Sequence, residues 1–224
     1  MKTTGTVSTA IIDRRKHVAA GAIGGVVAAL LAVFGVRSFT TGSAADPDRD
    51  LVYLVSAAID RGQAYWDARI AGYRPAHVVL FEQSTATACG VGLTSSGPFW
   101  CSGDDRIYID LAFLRSIRGD LARAIVLAHE LGHHVQGERR ELGATSVHVE
   151  LQADCYAGAW VADEDARGNL GSGDVQLALD EIAAVGDDRL CPGCSPEDWQ
   201  HGSSAQRVAA VQRGMSGGDC SLVP

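Results

Sequence analysis

The sequence predicts an α+β domain, a short sheet followed by helices, placed behind one N-terminal transmembrane helix. Three observations carry this. Segments rich in β-formers come early, at residues 77–83 and 106–111. Helical periodicity dominates from residue 120 onward, and an uncharged apolar run, Val18 to Val36, precedes everything else. Strands first and helices later suit an α+β arrangement better than the regular alternation of a doubly wound sheet.

In chain order, residues 1–17 form a tail that ends in Arg14, Arg15, Lys16 and His17. The 19-residue apolar run that follows, residues 18–36, reaches roughly 28 Å at about 1.5 Å per residue, close to the ~30 Å hydrocarbon core of a bilayer. Basic residues precede it, whereas Asp46, Asp48 and Asp50 follow. The positive-inside bias therefore keeps the N-terminus in the cytoplasm and places the rest outside. A cleaved signal peptide is the competing reading, since "GSAA" (42–45) offers small residues for cleavage. The run exceeds the ~7–15 apolar residues of a usual signal core, which favours an uncleaved anchor. Residues 37–50 read as a linker, polar over "TTGSAADPD" (40–48), and residues 51–224 as one domain with enough chain for its own core. Beyond residue 40 the chain holds 26 acidic residues, 14 arginines and no lysine. Chemistry so acidic excludes nucleic acid as an expected partner.

Within the domain, residues 51–70 repeat apolar positions at helical spacing, with Leu51, Leu54, Val55, Ala58 and Tyr65 on one side. "HVVLFEQ" (77–83) and "RIYIDL" (106–111) alternate as strands, and the second is a natural edge for an extended peptide to pair with. The stretch between them, "ACGVGLTSSGPFWC" (88–101), has the turn residues of a long loop. A helix runs from Asp120, a good N-cap, to Gly137, a good residue to follow a helix. A second begins near Thr145 or Ser146 and ends by Gly168; residues 175–185 and 205–213 suggest two more.

The chemistry lies in "AIVLAHELGHHVQ" (124–136). His129 and His133, four apart on one helix, stack on a single face with Cβ atoms about 5–6 Å apart, so both rings can converge on one ion. Glu130 sits beside the pair, placed to reach a water rather than to ligate. A zinc site that does chemistry needs a third protein ligand and an open position. Glu150, in "ELQADCYAGAW" (150–160), supplies the ligand, and Asp154 lies one turn on, placed to accept the free ring N–H of a ligand histidine. His134 points about 100° away from His133 and reads as a hydrogen-bonded structural residue. His148 reads as exposed, His77 as the opening of a strand and His17 as juxtamembrane. His201, in the small-residue loop of "HGSSAQR" (201–207), is the remaining histidine able to approach a cleft, where it would stabilise the oxyanion of a tetrahedral transition state.

Six cysteines, at 89, 101, 155, 191, 194 and 220, lie beyond the apolar run and suggest disulfides, although six allow 15 pairings. Cys89 and Cys101 bracket the Gly/Ser-rich loop and form the pair best supported by position. "CPGC" lacks both the βαβ neighbourhood of a redox motif and the second ligand pair of a zinc knuckle, so Cys191 and Cys194 read as a local disulfide.

Taken in order, "IYIDL", "HELGHHVQ", "ELQADCYAGAW", "GDDRL" (186–190) and "HGSSAQR" resemble the bacterial putative neutral zinc metallopeptidase family, a membrane-anchored branch of the gluzincins with an HExxH…E motif. The resemblance runs from about Cys89 to Cys220. It implies His129, His133 and Glu150 as ligands of one zinc per chain, Glu130 as general base and Asp154 as the residue behind a ligand histidine. It also implies pairing of Cys89 with Cys101 and of Cys155 with Cys220, and points to the His201 motif. The link between the two zinc helices is shorter than the family leads one to expect, and Cys191 and Cys194 look like additions. The expected function is a zinc endopeptidase of the bacterial cell envelope, acting on peptide or protein substrates with its catalytic domain outside the membrane. Glu130 would take a proton from water and deliver it to the leaving amine. Two alternatives share the sequence: a catalytically silent zinc-binding pseudoprotease, and a zinc hydrolase of non-peptide amides.

Overall fold

The computed structural model describes residues 47–142 and 146–223. The expected tail, anchor, most of the linker and His17 lie outside the described residues, and among those described no helix is long and apolar enough to cross a membrane.

The first helix, α1, spans Pro47–Asp67. It therefore begins within the stretch expected as linker and stops three residues before the expected end. Proline opens it without cost, because the missing N–H would have no intrahelical partner in the first turn. Leu51, Val55, Ala58, Ile59, Tyr65 and Trp66 bury its apolar stripe. Five short strands follow: β1 (His77–Phe81), β2 (Ser84–Thr87), β3 (Gly90–Leu93), β4 (Phe99–Cys101) and β5 (Arg106–Asp110). The segment expected as one long loop thus contains most of a hairpin and a further strand. β2 and β3 form the antiparallel hairpin, and Cys89 in its turn is bridged to Cys101 at the end of β4. The remaining strands form a sheet in the order β1-β5-β4, with β1 parallel and β4 antiparallel to β5. The "RIYIDL" strand is therefore central, with a partner on each side, and is not the edge expected of it. β4 is an edge strand, packed against the helix that carries His129 and His133.

Six helices complete the domain: α2 (Leu111–Ser116), α3 (Asp120–Arg139), α4 (Ser146–Ala166), α5 (Asp174–Ala184), α6 (Asp187–Leu190) and α7 (Ser204–Met215). α2 and α6 are too short to show periodicity; α2 exists because Asp110 caps it, accepting the Phe113 N–H at 2.6 Å. At α3 both expected ends shift. Gly119, with φ 85°, occupies the cap position and Asp120 falls in the first turn. The helix passes Gly137 and ends at Arg140, whose left-handed backbone terminates it. Gly137 is small for another reason: a Cβ there would lie 2.7 Å from the Trp100 ring. α4 is buried on most of its circumference, between α3 and α7. α7 opens with a capping box, Ser203 and Gln206 bonding each other's backbone N–H.

Candidate metal centre

His129 and His133 project from α3 toward α4, which brings Glu150 to them. The ligand atoms of the three all lie within 4.8 Å of one another. The ring of His129 stands at 90° to that of His133, and their Nε2 atoms are 3.0 Å apart. Glu150 offers Oε2 to His129 Nε2 at 3.1 Å and Oε1 to His133 Nε2 at 3.3 Å.

The backs of the rings decide what the fronts can do. His129 Nδ1 meets Asp154 Oδ1 at 2.8 Å, and His133 Nδ1 meets Gln136 Oε1 at 2.9 Å. Both partners are acceptors; the Gln136 amide is oriented by its Nε2 donating to Val149 O at 2.7 Å and Gln152 Oε1 at 2.8 Å. Each Nδ1 therefore carries hydrogen, and each neutral ring presents an Nε2 lone pair to the other and to the Glu150 carboxylate. Three converging electron-pair donors at such separations need a cation between them. Burial opposes charge on His129, but Asp154 and Glu150 outweigh it and push its pKa up to about 10. Burial alone would raise Glu150, yet hydrogen bonds from both histidines hold it far below the usual carboxylate range. Two imidazoles and a carboxylate with a free fourth direction form the donor set of a catalytic zinc site.

Asp154 is itself held. It is fully buried, and Arg207 of α7 bonds it twice, Nε to Oδ2 at 2.8 Å and Nη2 to Oδ1 at 2.9 Å. Burial would raise the Asp154 pKa; the guanidinium and His129 keep it low.

Glu130 is buried beside the ligands. The backbone of Trp100 hydrogen-bonds it, while its Oε2 has no hydrogen-bond partner among the described residues. Desolvation raises its pKa against the pull of both histidines. A basic oxygen left over at the wall of a cleft is the arrangement a general base requires.

The cleft, about 600 Å³, is walled by the metal ligands and Glu130, by Ser95–Trp100 leading into and along β4, and by an apolar end that includes Phe113, Ile117, Val126 and Ile182. His201 lines it too. Its Nδ1 lies 3.0 Å from Asp187 Oδ1, and Asp187 Oδ2 accepts the backbone N–H groups of Gln200, His201 and Gly202 at 2.6 to 2.9 Å. Next to it Asp188 accepts the Ser204 N–H at 2.6 Å.

The structure thus brings His129, Glu130, His133, Glu150 and His201 to one cleft, with Asp154 behind His129. His134 is buried outside it, Nε2–H donating to Arg74 O at 2.7 Å and Nδ1 facing Asp105 at 2.9 Å, which is the structural role expected. His77 opens β1 and is exposed, whereas His148 is half-buried rather than exposed as expected. The cysteines pair as 89–101, 155–220 and 191–194, with Cα separations of 5.8, 5.6 and 5.3 Å. The residues that sequence reasoning missed are Gln136, Arg207 and Asp187. Gln136 is signalled by its position three after His133 on one helix; nothing in the sequence ties the other two to their partners.

The sequence profile of the putative neutral zinc metallopeptidase family matches residues 34–223. An uncharacterised protein of Escherichia coli, YpfJ, is 37% identical over 172 residues, 66% of this chain and 60% of the relative. The chain therefore spans 60% of that protein's length. An uncharacterised protein of Mycobacterium tuberculosis, Rv2575, is 35% identical over 249 aligned positions, 97% of this chain and 80% of the relative. No solved structure matches the chain.

Proposed function

The chain belongs to the putative neutral zinc metallopeptidase family, and from that premise we propose that it is a zinc-dependent endopeptidase, anchored in the bacterial cell membrane by residues 18–36 with its catalytic domain outside. The observation that carries this reading is the convergence of His129, His133 and Glu150, with Glu130 Oε2, which has no hydrogen-bond partner among the described residues, beside them.

When bound, zinc supplies Lewis acidity, which lowers the pKa of water and polarises a carbonyl. The chain's own residues do the rest. Glu130 Oε2 takes the proton from the attacking water and returns it to the leaving nitrogen. Asp154 and Gln136 hold the two ligand rings in the tautomer that leaves each Nε2 free. His201, which lines the same cleft, stabilises the developing oxyanion. Because Asp187 occupies its Nδ1, Nε2 is the atom left to meet the oxyanion. The edge strand β4 offers backbone groups to an extended peptide, a role the central β5 cannot take.

Protein purified without added metal is expected to contain one zinc per chain by elemental analysis, and to cleave casein or a peptide library. A zinc ratio near zero that titration cannot raise would overturn the site. A zinc-loaded protein that cleaves no peptide would leave the pseudoprotease or the non-peptide amide hydrolase.

A further inference from the structure

We propose that Arg207 is a positioning residue through which the docking of the C-terminal helix α7 completes the metal centre. The inference rests on the metal reading of the site. Arg207 lies 53 residues from Asp154 in the chain, is buried, and reaches Asp154 through two guanidinium nitrogens at 2.8 and 2.9 Å. Asp154 in turn holds Nδ1 of His129 at 2.8 Å. The ring orientation of one ligand is therefore set through a carboxylate that a different, late element of the chain fixes.

Charge supports the same conclusion. Glu130 and Asp154, both buried, and the half-buried Glu150 bring three carboxylates into one cluster, and withdrawing like charges together from water is unfavourable unless they are compensated. One guanidinium and one divalent cation balance three carboxylates. Arg207, whose charge is permanent, supplies the protein's share, and the fork geometry holds both Asp154 oxygens where a lysine would reach one.

α7 is built to dock closely on α4. A Cβ on Gly158 of α4 would collide with the Val211 carbonyl, and one on Gly214 of α7 with the Cys155 carbonyl. The two helices thus touch backbone to backbone. Cys155, the residue after Asp154, is bridged to Cys220, which follows α7. Small residues at the crossing and a covalent staple beside Asp154 fix the helix that delivers Arg207.

The test is zinc affinity in the full-length protein, measured by competition with a chromogenic chelator, in the wild type, Arg207→Lys and Gly214→Ala. Arg207→Lys keeps the charge and removes the fork. Gly214→Ala displaces α7 and changes no polar group. Each should weaken zinc binding by about 10–100-fold, the range for residues that orient a ligand from behind, with far-ultraviolet circular dichroism of the metal-free protein unchanged. Cobalt-loaded Arg207→Lys should also show shifted d–d absorption bands, because the field at His129 has changed. Wild-type zinc affinity in either variant overturns the proposal, as do weakened binding with unshifted cobalt bands and a variant that fails to fold without metal. A wild-type protein that takes up no zinc sinks the metal reading instead, which keeps the two failures apart.

Discussion

On the ligand side of the cleft, His129 is held by Asp154, Asp154 by Arg207 and His133 by a Gln136 whose amide nitrogen is itself bonded twice. At residues 200–202 the support is thinner: the side chain of His201 is 47% exposed and rests on one carboxylate, which also gathers the backbone N–H groups of that loop. The ligands are held by a chain of groups drawn from three helices, and His201 by a loop pinned at a point. A ligand must keep one geometry whether or not substrate is present, so its supports are redundant. On the proposed reading, a donor that meets the oxyanion only in the transition state needs access more than redundancy, and one carboxylate suffices to hold it.

That contrast can be broken or sharpened by substitution. The largest expected effect is that of Glu130→Gln on the ligand side: zinc content and fold unchanged, kcat lower by ~10²–10⁴-fold, since the amide cannot accept the proton. Near-normal turnover in zinc-loaded protein would remove Glu130 from the reaction. In the loop, His201→Ala should lower kcat and kcat/KM together by about 10²-fold, the effect of losing one oxyanion donor, with KM and zinc content little changed. A rise in KM alone would make His201 a substrate-binding residue, and unaltered kinetics would dissolve the comparison. Asp187→Asn should cost less, on the order of tenfold in kcat, because an amide oxygen still accepts the loop N–H groups while the histidine loses its carboxylate.

Stability offers two smaller contrasts. Removing Cys89–Cys101 by serine substitution should destabilise the domain by ~3 kcal/mol on the chain-entropy account, read from denaturant midpoints. Removing Cys191–Cys194, which closes three residues of exposed loop, should cost about 2 kcal/mol or less on the same account. A larger loss there, or a change in kcat, would show that the loop pinned by Asp187 is held by more than that carboxylate.

How much of this was legible in the sequence follows from the range of each interaction. His129, Glu130 and His133 are fixed by helical spacing alone, and Glu150 with Asp154 by the same spacing on the next helix. Gln136 was equally accessible and was passed over because amides carry no metal signal. Arg207 and Asp187 depend on which helices cross and how a loop returns, and local pattern is silent about both. The fold shows the same division. The long helices appear near their expected places, whereas β2 and β3 are four residues each, rich in Gly, Ser and Thr, and β4 is three residues, too short to show a period. β5 is central rather than an edge because its partners are set by topology: five residues rich in β-formers look alike in the middle of a sheet and at its border.

Trp100 joins the strand that borders the cleft to the helix that carries the ligands. Its backbone bonds Glu130, its indole N–H donates to Asp105 at 3.1 Å, and its ring lies against Gly137. Asp105 also receives His134 of the same helix. Strand and helix are thereby riveted on two levels, and the width of the slot between them is set before any peptide arrives. The freedom lost on binding then falls almost wholly on the incoming chain, at about 1–2 kcal/mol of backbone entropy for each residue fixed. Segments that are already extended lose least. On the proposed reading, a slot of fixed width would therefore select unfolded stretches, tails and linkers over folded surfaces, by conformation before any side chain is read.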